Sequence, residues 1–227
     1  MIRLLKYEYL YLIPLLLSAI FGLKTLRQKW PKQYRLLALL VIISFLTEIF
    51  AIAWKWHLYD MFPKKYARNN FWIYNIFITV RFGILLTILY RITHSLHTKK
   101  TILYAGPVLL LFGLLNYFFI QGPYQYNTYS VIFAHIPIIV LCLLYLKQLL
   151  EETGQVILHK EPMVWALLGT FVYHAASLPF LVILNFLNSQ QQSLSIIYLP
   201  INDTLNLLLC TFYLISFLCK PLSTRLY

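Results

Sequence analysis

Apolar runs of about twenty residues recur from one end of the chain to the other, and no other feature restricts the fold as strongly. A run of that length crosses about 30 Å of hydrocarbon as a helix rising about 1.5 Å per residue. Inside a bilayer every backbone N–H and C=O must be bonded within the protein, which leaves helices or closed barrels. These runs are continuous instead of alternating, so helices are predicted. Seven are read, at about Tyr7–Leu23, Leu36–Lys55, Phe71–Ile92, Thr101–Ile120, Tyr129–Leu149, Pro162–Phe186 and Tyr198–Lys220. Of the 227 residues, 60% are hydrophobic and 11% charged, with a mean hydropathy of +0.70. Soluble domains carry about 25% charged residues. The chain is therefore expected to be all-α, a polytopic membrane protein with one seven-transmembrane-helix bundle over residues 1–227. Its loops are short, the longest running from Trp56 to Asn70, and the tail "PLSTRLY" is too short to fold. No internal repeat of the kind found in many transporters is visible.

The first run has Arg3 and Lys6 ahead of it, as a signal peptide would. Pro14, the Tyr-rich "YEYLYLI" and the basic "GLKTLRQKW" that follows argue instead for a retained first helix. Orientation follows from Lys and Arg in the short loops. Lys24, Arg27, Lys29, Lys32, Arg35, Arg91, Lys99, Lys100, Lys147, Lys160, Lys220 and Arg225 fall on one side. Arg3, Lys6, Lys55, Lys64, Lys65 and Arg68 fall on the other. The more basic side is placed in the cytoplasm, so the N-terminus is expected outside and the C-terminus inside a cell membrane. Trp54, Trp56 and Trp72 would then lie near the outer interface. The net charge of +12 is a topology and anionic-lipid signal, and nucleic acid is not an expected partner. Cys142, Cys210 and Cys219 are odd in number and never spaced as CxxC, so they read as small apolar fillers.

Polar residues inside the runs carry the functional information. "IISFLTEIFAI" places Glu48 in an apolar stretch, and a carboxylate there costs a few kcal/mol unless something offsets it. Ser44, Thr47, Glu48 and Ala51 share one helical face. The third run adds Asn75, Thr79 and Arg81, the fourth Asn116 and the fifth His135. The sixth carries Thr170, His174 and Ser177 on one stripe, and the seventh Asp203 and Asn206. Counting helix rise from the expected outer boundary puts Glu48 and His135 about 9 Å deep, Arg81 about 13 Å and Asp203 about 7 Å. His174 falls close to the midplane by the same count. The inner halves are nearly all Leu, Ile, Val and Phe. An outward-facing polar pocket lined by Glu48, Asn75, Arg81, Asn116, His135, His174, Asp203 and Asn206 is predicted. Glu48 and Arg81 sit on successive helices at similar depth, so they are expected to pair, with Asp203 as the other candidate partner for Arg81. A network of this kind either locks helix register or lines a ligand site.

No HxxxH or HExxH spacing supports a metal, and no cofactor or catalytic residue is assigned. Pro14, Pro107, Pro137 and Pro179 are expected to kink their helices. Three classes of function fit. The leading one is a ligand-binding or sensory module for a small molecule or lipid. The alternatives are an intramembrane lipid-modifying enzyme, with Glu48, His135, His174 or Asp203 as acid, base or ligand, and a transporter. No nucleophile–base spacing supports the enzyme, and the inner half lacks polar residues to line an exit. A retinal Schiff base is excluded, because the last run has only Lys220, at its end.

"SFLTEI", "FWIYNIFITVRF", "VWALLGTFVYHAASLPFLVI" and "INDTLNLLLCTFYLISF" resemble a family of uncharacterised bacterial seven-helix integral membrane proteins. The resemblance extends over nearly the whole chain through loose aromatic-and-polar patterns. It implies the architecture and a bacterial inner membrane, and it brings no activity. A looser analogy links the chain to receptor-like sensor modules, which are fused to signalling domains. Without a fused output domain, signalling would run through a separate protein partner, with membrane lipids as the other expected contacts.

Overall fold

The computed structural model describes residues 9–28, 30–61, 70–151, 160–189 and 195–219, leaving aside the side chains of 184–189 and 195–199. Among the described residues the protein is helical, with no strand. Seven α-helices follow one another: α1 (Leu12–Arg27), α2 (Lys32–Ala53), α3 (Phe71–Ile92), α4 (Leu96–Leu115), α5 (Thr128–Glu151), α6 (Pro162–Ser189) and α7 (Ser195–Leu218). Six of them, α2 to α7, are long and apolar enough to cross a membrane, which fits a multi-pass membrane protein. The remaining helix, α1, has 16 residues and ends in Lys24 and Arg27.

Several helices outrun the apolar runs from which they were predicted. Helix α2 starts at Lys32 and continues past Ala53 through a π-helical turn, Trp54–Leu58, and a 3-10 turn, Tyr59–Met61. Helix α4 starts at Leu96, where Ser95 Oγ accepts from Thr98 N at 3.3 Å and caps it. Its first turn, "LHTKK", is too polar for hydrocarbon yet helical, because a membrane boundary is not a helix boundary. Pro107, Pro137 and Pro179 lie inside helices that continue through them, and Pro200, which the sequence reading did not single out, does the same in α7. Pro14 is different. It falls in the first turn of α1, where backbone N–H groups have no intrahelical acceptor, so no ladder bond is lost there.

The packing order defines the architecture. Helix α1 packs between α2 and α7, α2 packs on α3, α3 on α5, α5 on α6 and α6 on α7. These six close a ring, while α4 docks from outside against α3 and α5. Accordingly Leu103, Tyr104, Val108, Leu111, Phe118 and Phe119 of α4 and its π-helical continuation are exposed. Small residues allow the ring to close tightly. A Cβ on Gly22 of α1 would meet Ala38 Cα of α2 at 3.4 Å, and one on Gly169 of α6 would clash with Phe212 Cβ of α7. Small residues serve helix contacts in this way in membranes, where no hydrophobic force joins helices. Polar links add direction: Ser18 Oγ of α1 reaches the Cys210 carbonyl of α7 at 3.1 Å. One continuous apolar core runs through the ring, and a smaller one, built on Ala51, Trp54 and Ile73, closes the end where α2 meets α3. Trp54 is buried there against Trp72, with ring centroids 5.3 Å apart and nearly perpendicular. It packs between α2 and α3 at that end of the bundle.

Candidate functional site

Glu48 does not pair with Arg81. Its Oε2 accepts hydrogen bonds from the hydroxyls of Tyr11, one residue before α1, and Tyr74, in the first turn of α3, both at 2.9 Å. Bonds of this kind to a carboxylate are charge-assisted and stronger than neutral ones. Two phenols supplied by the neighbours of α2 therefore do what the arginine was expected to do. Asp203 of α7 lies near enough for its charge to act on both Tyr11 and Tyr74, so the acidic pair of the bundle shares one neighbourhood.

Arg81 sits at the middle of α3 and points to a different set of residues. Its guanidinium carbon lies 4.8 Å from the centre of the Tyr173 ring on α6, a cation–π contact. Its Nη2 is buried and has no hydrogen-bond partner. Beside Tyr173 on the chain is His174, whose ring centroid lies 4.2 Å from that of His135 on α5 at an interplanar angle of 72°. Both histidines are buried, at 4% and 5% exposure for His174 and His135. Their bonding differs sharply. His135 Nδ1 donates to the Val131 carbonyl one turn earlier at 2.7 Å, since a carbonyl can only accept. Its Nε2 meets Ser177 Oγ of α6 at 2.9 Å, and in the neutral ring it accepts from that hydroxyl. His174 has no partner at either nitrogen. A neutral imidazole carries one donor and one acceptor, and each buried group left unmet costs about 1–3 kcal/mol. Tyr213 of α7 also faces α6, its hydroxyl 3.1 Å from Thr170 Oγ1.

The other members of the predicted pocket are employed elsewhere. Asn75 holds the 121–127 loop with both ends of its amide: Nδ2 donates to the Gln125 carbonyl at 2.7 Å and Oδ1 accepts from Asn127 N at 3.0 Å. Asn116 Nδ2 donates to Gln121 Oε1 at 2.9 Å and to Ser130 Oγ at 2.7 Å, tying the π-helical end of α4 to α5. The chain turns between them at Gly122, whose φ of 76° suits glycine. Asn206 Nδ2 bonds the Asn202 carbonyl of its own helix at 2.9 Å. The eight residues thus divide: Arg81, His135 and His174 are neighbours on α3, α5 and α6, Glu48 and Asp203 share a second place, and the asparagines serve loops and helix backbone.

Sequence reasoning missed the tyrosines. Tyr74 lies seven residues before Arg81 on the same face of α3, and Tyr173 lies three after Thr170, so helical spacing would have found both. It also missed Glu161, an acid just outside a predicted run that is 3% exposed. Glu161 Oε1 accepts from the Tyr34 hydroxyl and from Met163 N, ahead of a proline at the first position of α6. Among the described residues, no group of three or more His, Cys, Asp or Glu is arranged to hold a metal ion. An apolar groove lined by Ile78, Phe82, Leu110, Gly113 and Phe133 runs between α3, α4 and α5, and none of the predicted pocket residues lines it.

No family model, curated protein or solved structure matches the chain.

Proposed function

We propose that this is a multi-pass membrane protein that binds a small molecule or lipid between its helices and passes the event to a separate partner. In this proposal α1 is the seventh span, the N-terminus lies outside, the C-terminus is cytoplasmic, and the ligand occupies the chamber between α3, α5 and α6. One observation carries it. At the centre of a closed ring, Arg81 Nη2 and both nitrogens of His174 are buried without a protein partner. Buried polar groups in folded proteins are nearly always bonded, and intramembrane ionisable residues mark functional sites by default. A ligand supplying the missing partners would draw α3 toward α6 and so alter helix packing, which is what a sensor needs.

Native mass spectrometry of protein purified in a neutral detergent tests this. A bound species is expected to survive on the wild type and to be lost from Arg81→Met. An empty wild-type protein, with a melting temperature that no added lipid extract raises, would remove the proposal.

The intramembrane-enzyme alternative has one contact in its favour: Ser177 Oγ and His135 Nε2 lie at nucleophile–base distance, 2.9 Å. It ranks second because His135 is oriented by a carbonyl of its own helix instead of a carboxylate, and because Ser177 is buried. Labelling of Ser177 by a fluorophosphonate, abolished in Ser177→Ala, would reverse the order.

A further inference from the structure

The chamber's charge and donors identify the class of ligand. We infer that it takes an anionic oxygen headgroup, a carboxylate or a phosphodiester, held by Arg81 and His174. This deepens the binding proposal above and rests on it.

The charge inventory comes first. Arg81 is permanently positive. No carboxylate of the described chain makes an ion pair with it: Glu48, which acts on it only through space, gives its Oε2 to Tyr11 and Tyr74, and the near neighbours of Arg81 are Tyr173, Tyr213, Cys210 and the two histidines. The Tyr173 ring covers one face of the guanidinium and does not neutralise it. Around this group His135 is bonded at both ring nitrogens and His174 at neither. An anion supplies the close ion pair that Arg81 lacks among the described residues.

The donors come second. Arg81 Nη2 is an unused donor, and His174 can place its single proton on whichever nitrogen faces the ligand, because neither is committed. Two donors from facing helices suit two oxygens of one headgroup, the geometry in which guanidinium recognition of carboxylate and phosphate is strongest. His135 edge-on at 4.2 Å and Tyr173 stacked on Arg81 hold these two side chains in place.

Melting temperature in phosphatidylcholine nanodiscs is the readout. The added probes are oleate, phosphatidylglycerol and oleyl alcohol, with sodium acetate in a separate series. Oleate or phosphatidylglycerol is expected to raise the melting temperature by several degrees while oleyl alcohol, with the same tail and no charge, does not. A response to acetate as well would identify a free carboxylate as a sufficient source; a response confined to the lipids would identify an amphiphile. Arg81→Met should lose the response. Arg81→Lys, which keeps the charge and loses the fork, should weaken it. His174→Phe keeps the ring and removes both nitrogens, and should raise the apparent Kd about tenfold, the equivalent of about 1.4 kcal/mol for one hydrogen bond. The inference fails if oleyl alcohol matches oleate, if no anion acts, or if Arg81→Met responds like the wild type. A neutral species retained in native mass spectrometry would overturn the anion while leaving the binding proposal standing.

Discussion

Two places in this bundle hold an ionisable side chain in an apolar setting, and they are solved in opposite ways. Around Glu48 the protein supplies its own partners: two tyrosines from either side of α2 converge on one carboxylate oxygen. Around Arg81 it supplies a ring face, and leaves Nη2 and the whole polar edge of His174 unmatched. The difference is one of completion, and completion separates structure from function here. A satisfied charge fixes how α1, α2 and α3 fit together. An unsatisfied one, between α3 and α6, is what the proposed ligand would complete.

The sharpest way to break that contrast is to strip Glu48 of its donors. Hydrogen bonds to charged groups contribute about 1.5–3 kcal/mol each, so Tyr11→Phe and Tyr74→Phe together should lower unfolding stability in detergent by about 3–5 kcal/mol. The loss should come without a change in ligand response at Arg81. A double variant no less stable than either single one would mean that Glu48 does not depend on the tyrosines. Next in size is Asn75→Ala, which removes two bonds holding the 121–127 loop and should cost about 2–3 kcal/mol. Thiol labelling of a cysteine introduced at Tyr124 should rise in that variant, while oleate binding stays. Loss of oleate binding would return Asn75 to the ligand site.

The sequence shows the class of the fold plainly, because continuous apolar runs admit so few structures. It shows less well where helices end: "LHTKK" and "WKWHL" look like loop and are helical, since backbone bonding continues where hydrocarbon stops. The ring with α4 outside was not legible, as a short polar stripe marks an inward face without saying which helices adjoin it. At the site, residue type was a fair guide to which positions mattered and a poor one to pairing. Charge attraction suggested Glu48 with Arg81. The structure prefers phenols for the acid because tyrosines reach one oxygen from two helices, and burying two weak donors is cheaper than burying a second full charge. Glu161 escaped notice because it stands beside a run instead of within one.

Arg81→Met gives a smaller effect with an informative sign. In ligand-free protein it removes a cation–π contact of about 0.5–2 kcal/mol and also a charge that lacks an ionic partner. The variant should melt at or above the wild type, within about 1 kcal/mol of it. Such an outcome is unusual for a buried residue, and it sets Arg81 apart from Glu48. A loss of about 3–5 kcal/mol would instead show that an acid is left stranded when the arginine goes.

The smallest effect is the most discriminating. Glu48→Gln keeps an oxygen that both tyrosines can donate to, so the single change should cost about 1 kcal/mol or less, the gap between a charge-assisted and a neutral hydrogen bond. Combined with Tyr74→Phe it should be strongly non-additive, because the two side chains touch: the phenol has less to lose once the carboxylate is gone. Combined with Arg81→Met it should be nearly additive, with a coupling within about 0.5 kcal/mol, because the two groups act on each other only through space. Measured on one purified background, the two cycles place Glu48 either with the tyrosines or with the arginine. A larger coupling to Arg81 than to Tyr74 would merge the two charged places into one network. Arg81 would then already have its counter-ion, and the chamber would hold no charge for an anionic ligand to balance.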